Sequence, residues 1–350
     1  MDKVRVLIVD DSAFMRSMLK KMIESSPDFE VVGTANNGKE GLAKVKELNP
    51  DIVTMDIEMP IMNGLESVAA IMKQRPTKII MVSTLTCEGA TETLKALELG
   101  AVDFIPKNID GNIFDIQKIQ EPILKKLKDL ARSSVPRSPI IPRRISDQHR
   151  TTSRHIKPLR GDIEIVVIGA STGGPKSLTE VIPHLPSTFP YPVLLVQHMP
   201  EVFTGPFATR MNAISQVTVK EADKGEVIVP GTVYVAPGGK QMLLRSRGDQ
   251  KVIDLTENTQ NHLHSPSVDV MMSSVSNLYG NKTLGVMMTG MGQDGINGFK
   301  DIKAAGGLTI AQDKDTSVVY GMPRAVAEAN LVDKVVPLNK ITQTILSIKH

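Results

Sequence analysis

Between Val4 and Leu130, short runs of β-branched and apolar residues alternate with stretches whose apolar residues fall at helical spacing. That alternation restricts the first third of the chain to a parallel sheet wrapped by helices. Five strands are expected, at Val4–Val9, Glu30–Gly33, Ile52–Met55, Ile79–Val82 and Val102–Ile105; between the first two, Phe14, Met18, Leu19, Met22 and Ile23 mark a helix face and Pro27 follows it. A second series begins at Ile163, with strands expected at Ile163–Ile168, Pro192–Gln197, Val217–Val219, Thr232–Ala236, Leu284–Met288 and Leu308–Ala311. A length of 350 residues suits two domains of ordinary size. The expected fold class is α/β twice over: a five-stranded parallel sheet, then a doubly wound, mostly parallel domain.

Residues 131–160 separate the two series. They hold Pro136, Pro139, Pro142 and Pro158 among Ser, Thr and Arg, without periodicity, and read as an exposed linker. The expected division is 1–125, a linker over 126–160, and 161–350. Seven Arg and one Lys against one Asp in 131–160 account for more than the whole net charge of +3, so the remainder is slightly acidic. Neither folded part reads as a nucleic-acid surface, and the absence of Trp argues against base stacking. The single Cys87 allows no intramolecular disulfide, Met1-Asp2-Lys3 leads straight into a strand without a signal region, and no apolar run approaches the roughly 20 residues of a membrane helix. A cytoplasmic location without direct membrane insertion is expected. The 18 Met read mainly as core filler.

Polar groups close several first-series strands: Asp10 and Asp11 the first, Asp56 the third, Ser83 the fourth and Lys107 the fifth. In an open α/β sheet such groups converge on one crevice at the carboxyl ends of the strands. Any one acid there is ordinarily a turn or cap residue, but five groups at matching ends form a site. Clustered carboxylates repel unless a cation neutralises them, and hard oxygen donors suit Mg²⁺. One carboxylate could then take a phosphoryl group, with Ser83 and Lys107 stabilising its oxygens.

These residues, in Val9-Asp10-Asp11-Ser12, Met55-Asp56-Ile57-Glu58-Met59-Pro60-Ile61-Met62-Asn63-Gly64, Val82-Ser83 and Asp103-Phe104-Ile105-Pro106-Lys107, resemble a response-regulator receiver domain over about residues 1–125. The resemblance implies a flavodoxin-like fold, Asp56 as phosphoacceptor, Mg²⁺ held by Asp10, Asp11 and Asp56, and phosphate sensing by Ser83 and Lys107. One departure is visible: receivers usually carry Pro after this Lys, whereas here Pro106 precedes Lys107 and Asn108 follows it.

In the second series, Ile165-Val166-Val167-Ile168 runs into Gly169-Ala170-Ser171-Thr172-Gly173-Gly174-Pro175, after which Leu178, Val181 and Ile182 mark a helix face. The glycines permit a tight strand-to-helix turn, and Ser171 stands where backbone N–H groups can hold an oxyanion. Gly169–Gly173 fits the G-x-S-x-G elbow, a short pattern that is weak alone. A dinucleotide fingerprint would want Gly in place of Ser171 and an acid closing the next strand, which here closes on Gln197-His198. His198 is thus a candidate base for Ser171. His262 and His264 compete for that role, as they precede Ser265-Pro266-Ser267-Val268-Asp269; His149, His155, His184 and His350 lack such a position. Asp294, in the turn Thr289-Gly290-Met291-Gly292-Gln293-Asp294-Gly295 after a strand, is the candidate third member.

The chain order Ser, His, Asp differs from that of the common α/β-hydrolases, and the serine follows the first strand of its domain. Order and motifs together resemble the chemotaxis protein-glutamate methylesterase family (CheB), whose members join a receiver to such a hydrolase. The resemblance implies Ser171, His198 and Asp294 as catalytic triad, and the Met291 backbone N–H with Thr172 as oxyanion hole. Further matching stretches are Gly238-Gly239-Lys240, His264–Asp269 and Val318–Arg324. It also implies methyl-accepting chemoreceptors as substrate, glutamine deamidation as second activity, a chemotaxis histidine kinase as phosphodonor, and no cofactor for the ester chemistry. Two other readings stand beside it. A transcription factor should end in a compact basic helical module, which about 190 residues of alternating strands and helices do not resemble. A non-catalytic docking protein would not need the Ser171, His198 and Asp294 set.

Overall fold

A computed structural model of the chain describes residues 3–84, 86–107, 116–131, 159–258 and 262–348. Most of the expected linker, Asn108, His149, His155 and His350 lie outside the described residues. The N-terminal unit contains β1 (Val4–Val9), α1 (Ala13–Glu24), β2 (Phe29–Ala35), α2 (Gly38–Leu48), β3 (Ile52–Asp56), α3 (Gly64–Gln74), β4 (Lys78–Ser83), α4 (Cys87–Leu99), β5 (Asp103–Pro106) and α5 (Ile116–Ala131). Its sheet is parallel in the order β2-β1-β3-β4-β5. Central strands β3 and β4 are buried along their whole length, as expected where helices cover both faces. Local signals fix the helices. Ser12 Oγ accepts from Met15 N to start α1, and Asn63 with Glu66 forms a reciprocal capping box on α3. A Cβ at residue 64 would lie 2.1 Å from the Asp56 carbonyl, so only glycine lets α3 begin against the end of β3.

The C-terminal unit contains β6 (Ile165–Ala170), α6 (Gly174–Thr179), β7 (Val193–Gln197), α7 (Glu201–Ile214), β8 (Thr218–Glu221), β9 (Thr232–Val235), β10 (Gln241–Arg247), β11 (Gln250–Thr256), α8 (Val268–Tyr279), β12 (Thr283–Met287), α9 (Ile296–Ala304), β13 (Leu308–Gln312), α10 (Met322–Glu328), β14 (Lys334–Val336) and α11 (Ile341–Leu346). Seven strands form one parallel sheet, β14-β13-β12-β6-β7-β9-β8. The antiparallel β10–β11 hairpin forms a separate pair. This hairpin and β14 are additions to the strands expected from sequence. Alternation in the hairpin is confined to a few residues, with Met242, Leu244 and Ile253 buried while Arg245 and Arg247 face solvent.

In each sheet the first strand of the unit has its next strand on one side and a later one on the other. That reversal opens a crevice at the carboxyl ends of β1 and β3, and another at those of β6, β7 and β12. The two units pack together through α4 and α7 and through the end of β5. Phe104 stacks on Phe203 with ring centroids 4.2 Å apart, Glu98 pairs with Arg210, and Val319 of the second unit is buried among the apolar residues of the first. No helix among the described residues is long and apolar enough to cross a membrane.

Candidate active site and phosphoryl site

At the carboxyl end of the first sheet, Asp10 is fully buried, Asp56 almost so, and Asp11 exposed. Each offers an oxygen within 4.8 Å of the others. Asp10 Oδ1 accepts from Ser12 N at 2.8 Å, and Asp56 Oδ1 from Ile57 N at 2.7 Å. Lys107 Nζ lies 2.7 Å from Asp56 Oδ2 and 3.2 Å from Asp10 Oδ2, so the lysine reaches the site although Pro106 precedes it. Asp10 Oδ2 is buried and met only by the Lys107 ion pair, with no further hydrogen bond among the described residues; this oxygen-only, partly unsatisfied set suits a hard divalent cation. Burial pushes the Asp56 carboxyl up to about 6 against the pull of Lys107. Burial also opposes the Lys107 charge, but the two carboxylates outweigh it and raise its pKa. The Ser83 hydroxyl is shared between Thr84 O and Gly89 O and makes no hydrogen bond to the three acids.

The second crevice is built by the strand ends β6, β7 and β12. The last paired residues of β6 and β7 are Ala170 and Gln197, so Ser171 and His198 leave adjacent strands at the same level. His198 N donates to Ala170 O at 3.1 Å, and Gln197 Nε2 to Ser171 O at 2.9 Å, which fixes the two strand ends to one another. Ser171 N donates to Thr289 O, tying the serine to the turn after β12. Gly173, at φ 75°, caps the short helix α6, where a Cβ would lie 2.4 Å from Val318 Cβ.

Asp294 comes from that third strand end. Its Oδ2 lies 2.8 Å from His198 Nε2. The carboxylate sits on the N-terminus of α8, accepting from Val268 N at 2.7 Å, Asp269 N at 3.0 Å and Ser267 Oγ at 2.8 Å. Burial works against this charge, yet the His198 contact and the helix N–H donors outweigh it and hold the carboxyl at about 2. An ionised acceptor at Nε2 assigns the ring proton there. His198 Nδ1, buried and without a hydrogen-bond partner, is then the basic nitrogen. No hydrogen bond joins Ser171 Oγ to His198 among the described residues, an arrangement common before substrate binds.

Thr172 and Met291 flank the serine. Their backbone N–H groups donate to no acceptor among the described residues, which leaves them available to an oxyanion. Thr289 Oγ1 donates to Thr172 O at 3.0 Å and accepts from Val319 N at 3.0 Å, holding the turn of Met291 against the loop 318–322. Thr172 Oγ1 donates across the unit boundary to Asp103 Oδ2 at 2.8 Å, an oxygen that also meets Lys126 Nζ at 2.8 Å.

Of the two competing histidines, His264 lies in this crevice, stacked on the ring of His198, whereas His262 hydrogen-bonds with Asn258. Sequence reasoning left Ser267, Gln241 and Asp103 without a role. A signal existed for Ser267: it precedes Val268, Met271, Met272 and Val275 at helical spacing, the signature of an N-cap. Nothing local marks Asp103, whose partner Thr172 is 69 residues away.

Residues 166–345 match the family described as CheB methylesterase, and residues 6–116 match the response regulator receiver domain. A protein-glutamate methylesterase/protein-glutamine glutaminase of Pyrococcus abyssi is 46% identical over 344 residues, covering 98% of this chain and 93% of that protein. Its counterpart in Geobacter sulfurreducens is 44% identical over 350 residues, covering 97% and 96%. The crystal structure of the Thermotoga maritima CheB methylesterase catalytic domain superposes with a TM-score of 0.52 at 43% identity, covering 53% of this chain and 98% of that one.

Proposed function

Because this chain belongs to the CheB methylesterase family and carries that family's receiver domain, we propose that it hydrolyses glutamate methyl esters, and deamidates glutamines, on chemoreceptor helices through Ser171, His198 and Asp294, under control of phosphorylation at Asp56. The observation that carries the reading is the Asp294–His198 hydrogen bond of 2.8 Å beside the strand end that bears Ser171.

His198 Nδ1 takes the proton of Ser171 Oγ as the oxygen attacks the ester carbonyl. Asp294 holds the Nε2–H and stabilises the imidazolium. The oxyanion is met by the N–H groups of Met291 and Thr172. The imidazolium then returns its proton to the leaving methoxide, methanol departs, and water activated by His198 hydrolyses the acyl-serine to free carboxylate. With a glutamine side chain the same steps release ammonia. None of these steps requires a cofactor.

In the receiver, Asp10, Asp11 and Asp56 would hold Mg²⁺, which neutralises the carboxylates so that a phosphoryl group from a chemotaxis histidine kinase can approach. Asp56 accepts that group, and Lys107 and Ser83 respond to its oxygens. The unphosphorylated receiver acts as a cover: Asp103 engages Thr172 beside the nucleophile, Phe104 packs on Phe203, and Val318, Val319 and Met291 pack against the receiver core. Lys107 directly follows the strand that carries Asp103 and Phe104, so a phosphoryl group that recruits the lysine pulls on the cover. The division into 1–125, 126–160 and 161–350 is part of this proposal in outline only, because α5 runs on to Ala131 and buries Leu127 and Leu130 in the core of the first unit.

Methanol release from methylated chemoreceptor tests the chemistry. The intact chain should release it, and Ser171→Ala, folded by circular dichroism, should reduce release to background. Near-wild-type release by Ser171→Ala overturns the triad.

A further inference from the structure

His198 is tied down at one ring atom. Its Nε2 is engaged by Asp294, while Nδ1 makes no hydrogen bond, and a single contact leaves the ring free to twist about it. Something must hold the plane if Nδ1 is to face Ser171. The ring of His264 lies flat against that of His198, with centroids 4.1 Å apart and planes inclined by 13°.

We propose that His264 is a positioning residue for the base, an aromatic plate that keeps the His198 ring in the plane of Asp294 with Nδ1 toward Ser171. This rests on the triad reading above.

The plate is mounted on the acid's own support. Gln241 Nε2 donates to His264 O at 2.7 Å, and Gln241 Oε1 accepts from Ser267 N at 2.8 Å. Ser267 Oγ in turn donates to Asp294 Oδ1 at 2.8 Å, and Gly239 N donates to Ser265 O at 3.0 Å. Base, acid and plate therefore share one frame at the N-terminus of α8. A shift of about 1 Å in a reacting group can cost about a hundredfold in rate, so such a frame has kinetic weight.

A plate beside a base that becomes cationic must itself stay uncharged. The charged or titratable groups acting on His264 are His198 from the end of β7, Asp294 from the turn after β12, and Lys125 from α5 of the receiver. Burial first, then His198, push the His264 imidazole down to about 4. It is neutral at physiological pH, and its π-face attracts the His198 imidazolium instead of repelling it.

The test uses the full chain with a small activated ester, p-nitrophenyl acetate, and with methylated receptor, alongside Ser171→Ala. His264→Ala should lower kcat by about tenfold to a hundredfold on both substrates and change KM less than about twofold. His264→Phe, which keeps a flat ring, should restore kcat to within about threefold of wild type. Wild-type kcat in His264→Ala overturns the proposal. So does a His264→Phe variant as slow as His264→Ala, since an imidazole nitrogen would then be what matters. Should His264→Ala not fold, His264→Gln, flat but not aromatic, takes its place with the same expectations. Activity in Ser171→Ala would remove the triad and the plate together; an inert Ser171→Ala beside a fully active His264→Ala removes the plate alone.

Discussion

Asp294 is an acid kept ionised against its own burial. Two helix N–H groups, Ser267 Oγ and His198 surround it, so its proton affinity lies far below that of an unfolded aspartate near 3.9. The stability this supplies is complete above that unfolded value and is lost as pH falls through about 2. Ser267 serves the site and the helix together, donating to Asp294 Oδ1 while accepting from Val270 N. Ser267→Ala should therefore cost about 1 kcal/mol of stability through the lost cap, and lower kcat by about tenfold through the freed carboxylate. Urea unfolding and steady-state kinetics on one preparation measure both; an unchanged kcat would mean that the helix N–H groups suffice. His264 gives a pH-dependent prediction. Its folded pKa of about 4 lies below the usual histidine value, so the unfolded chain binds a proton that the folded chain does not, and stability falls as pH drops from about 6.5 toward 4. His264→Phe should show a smaller stability loss between pH 7.0 and 4.5 than wild type. Equal losses would place the titration elsewhere. The sequence showed His264 as a competitor of His198 and as the start of a family-like stretch, but not as its stacking partner, because a contact 66 positions away leaves no local trace.

At the scale of elements, the strand ends were legible because polar residues close largely apolar runs: Asp56 closes Ile52-Val53-Thr54-Met55, and Gln197-His198 closes Val193-Leu194-Leu195-Val196. Burial on both faces produced those continuous runs. β14 escaped because it has three residues, with Val335 exposed. The β10–β11 hairpin left a readable turn at Gly248, φ 61°, between alternating residues, but its strongly charged outer face weakened the pattern. The nucleophile turn is the most constrained element. At Gly173 both the left-handed φ and the nearby Val318 side chain exclude a Cβ. Gly173→Ala should destabilise the C-terminal unit by about 2 kcal/mol, a Tm decrease of roughly 4–8 °C, and displace Ser171 enough to impair turnover. Calorimetry checks the first; a Tm within about 1 °C of wild type would contradict the strain.

For the whole molecule, the sequence indicated two α/β units joined by a basic linker, yet nothing in it specified the surface by which they meet. That surface depends on pairs far apart in the chain, such as Phe104 with Phe203 and Glu98 with Arg210. If the receiver is a cover, residues 161–350 alone should hydrolyse methylated receptor faster than the intact unphosphorylated chain, and Phe104→Ala should move the intact chain in the same direction. A truncated chain no faster than the intact one would contradict occlusion. Central to the account is the coupling of an acidic phosphoryl site to a serine esterase within one molecule. The most direct measurement is methanol release from methylated chemoreceptor by the intact chain, with and without Mg²⁺ and a small-molecule phosphodonor, alongside Asp56→Asn. Release that rises only when Mg²⁺ and donor are both present, and not in Asp56→Asn, is the predicted result; equal release under all conditions, or stimulation that survives in Asp56→Asn, would contradict it.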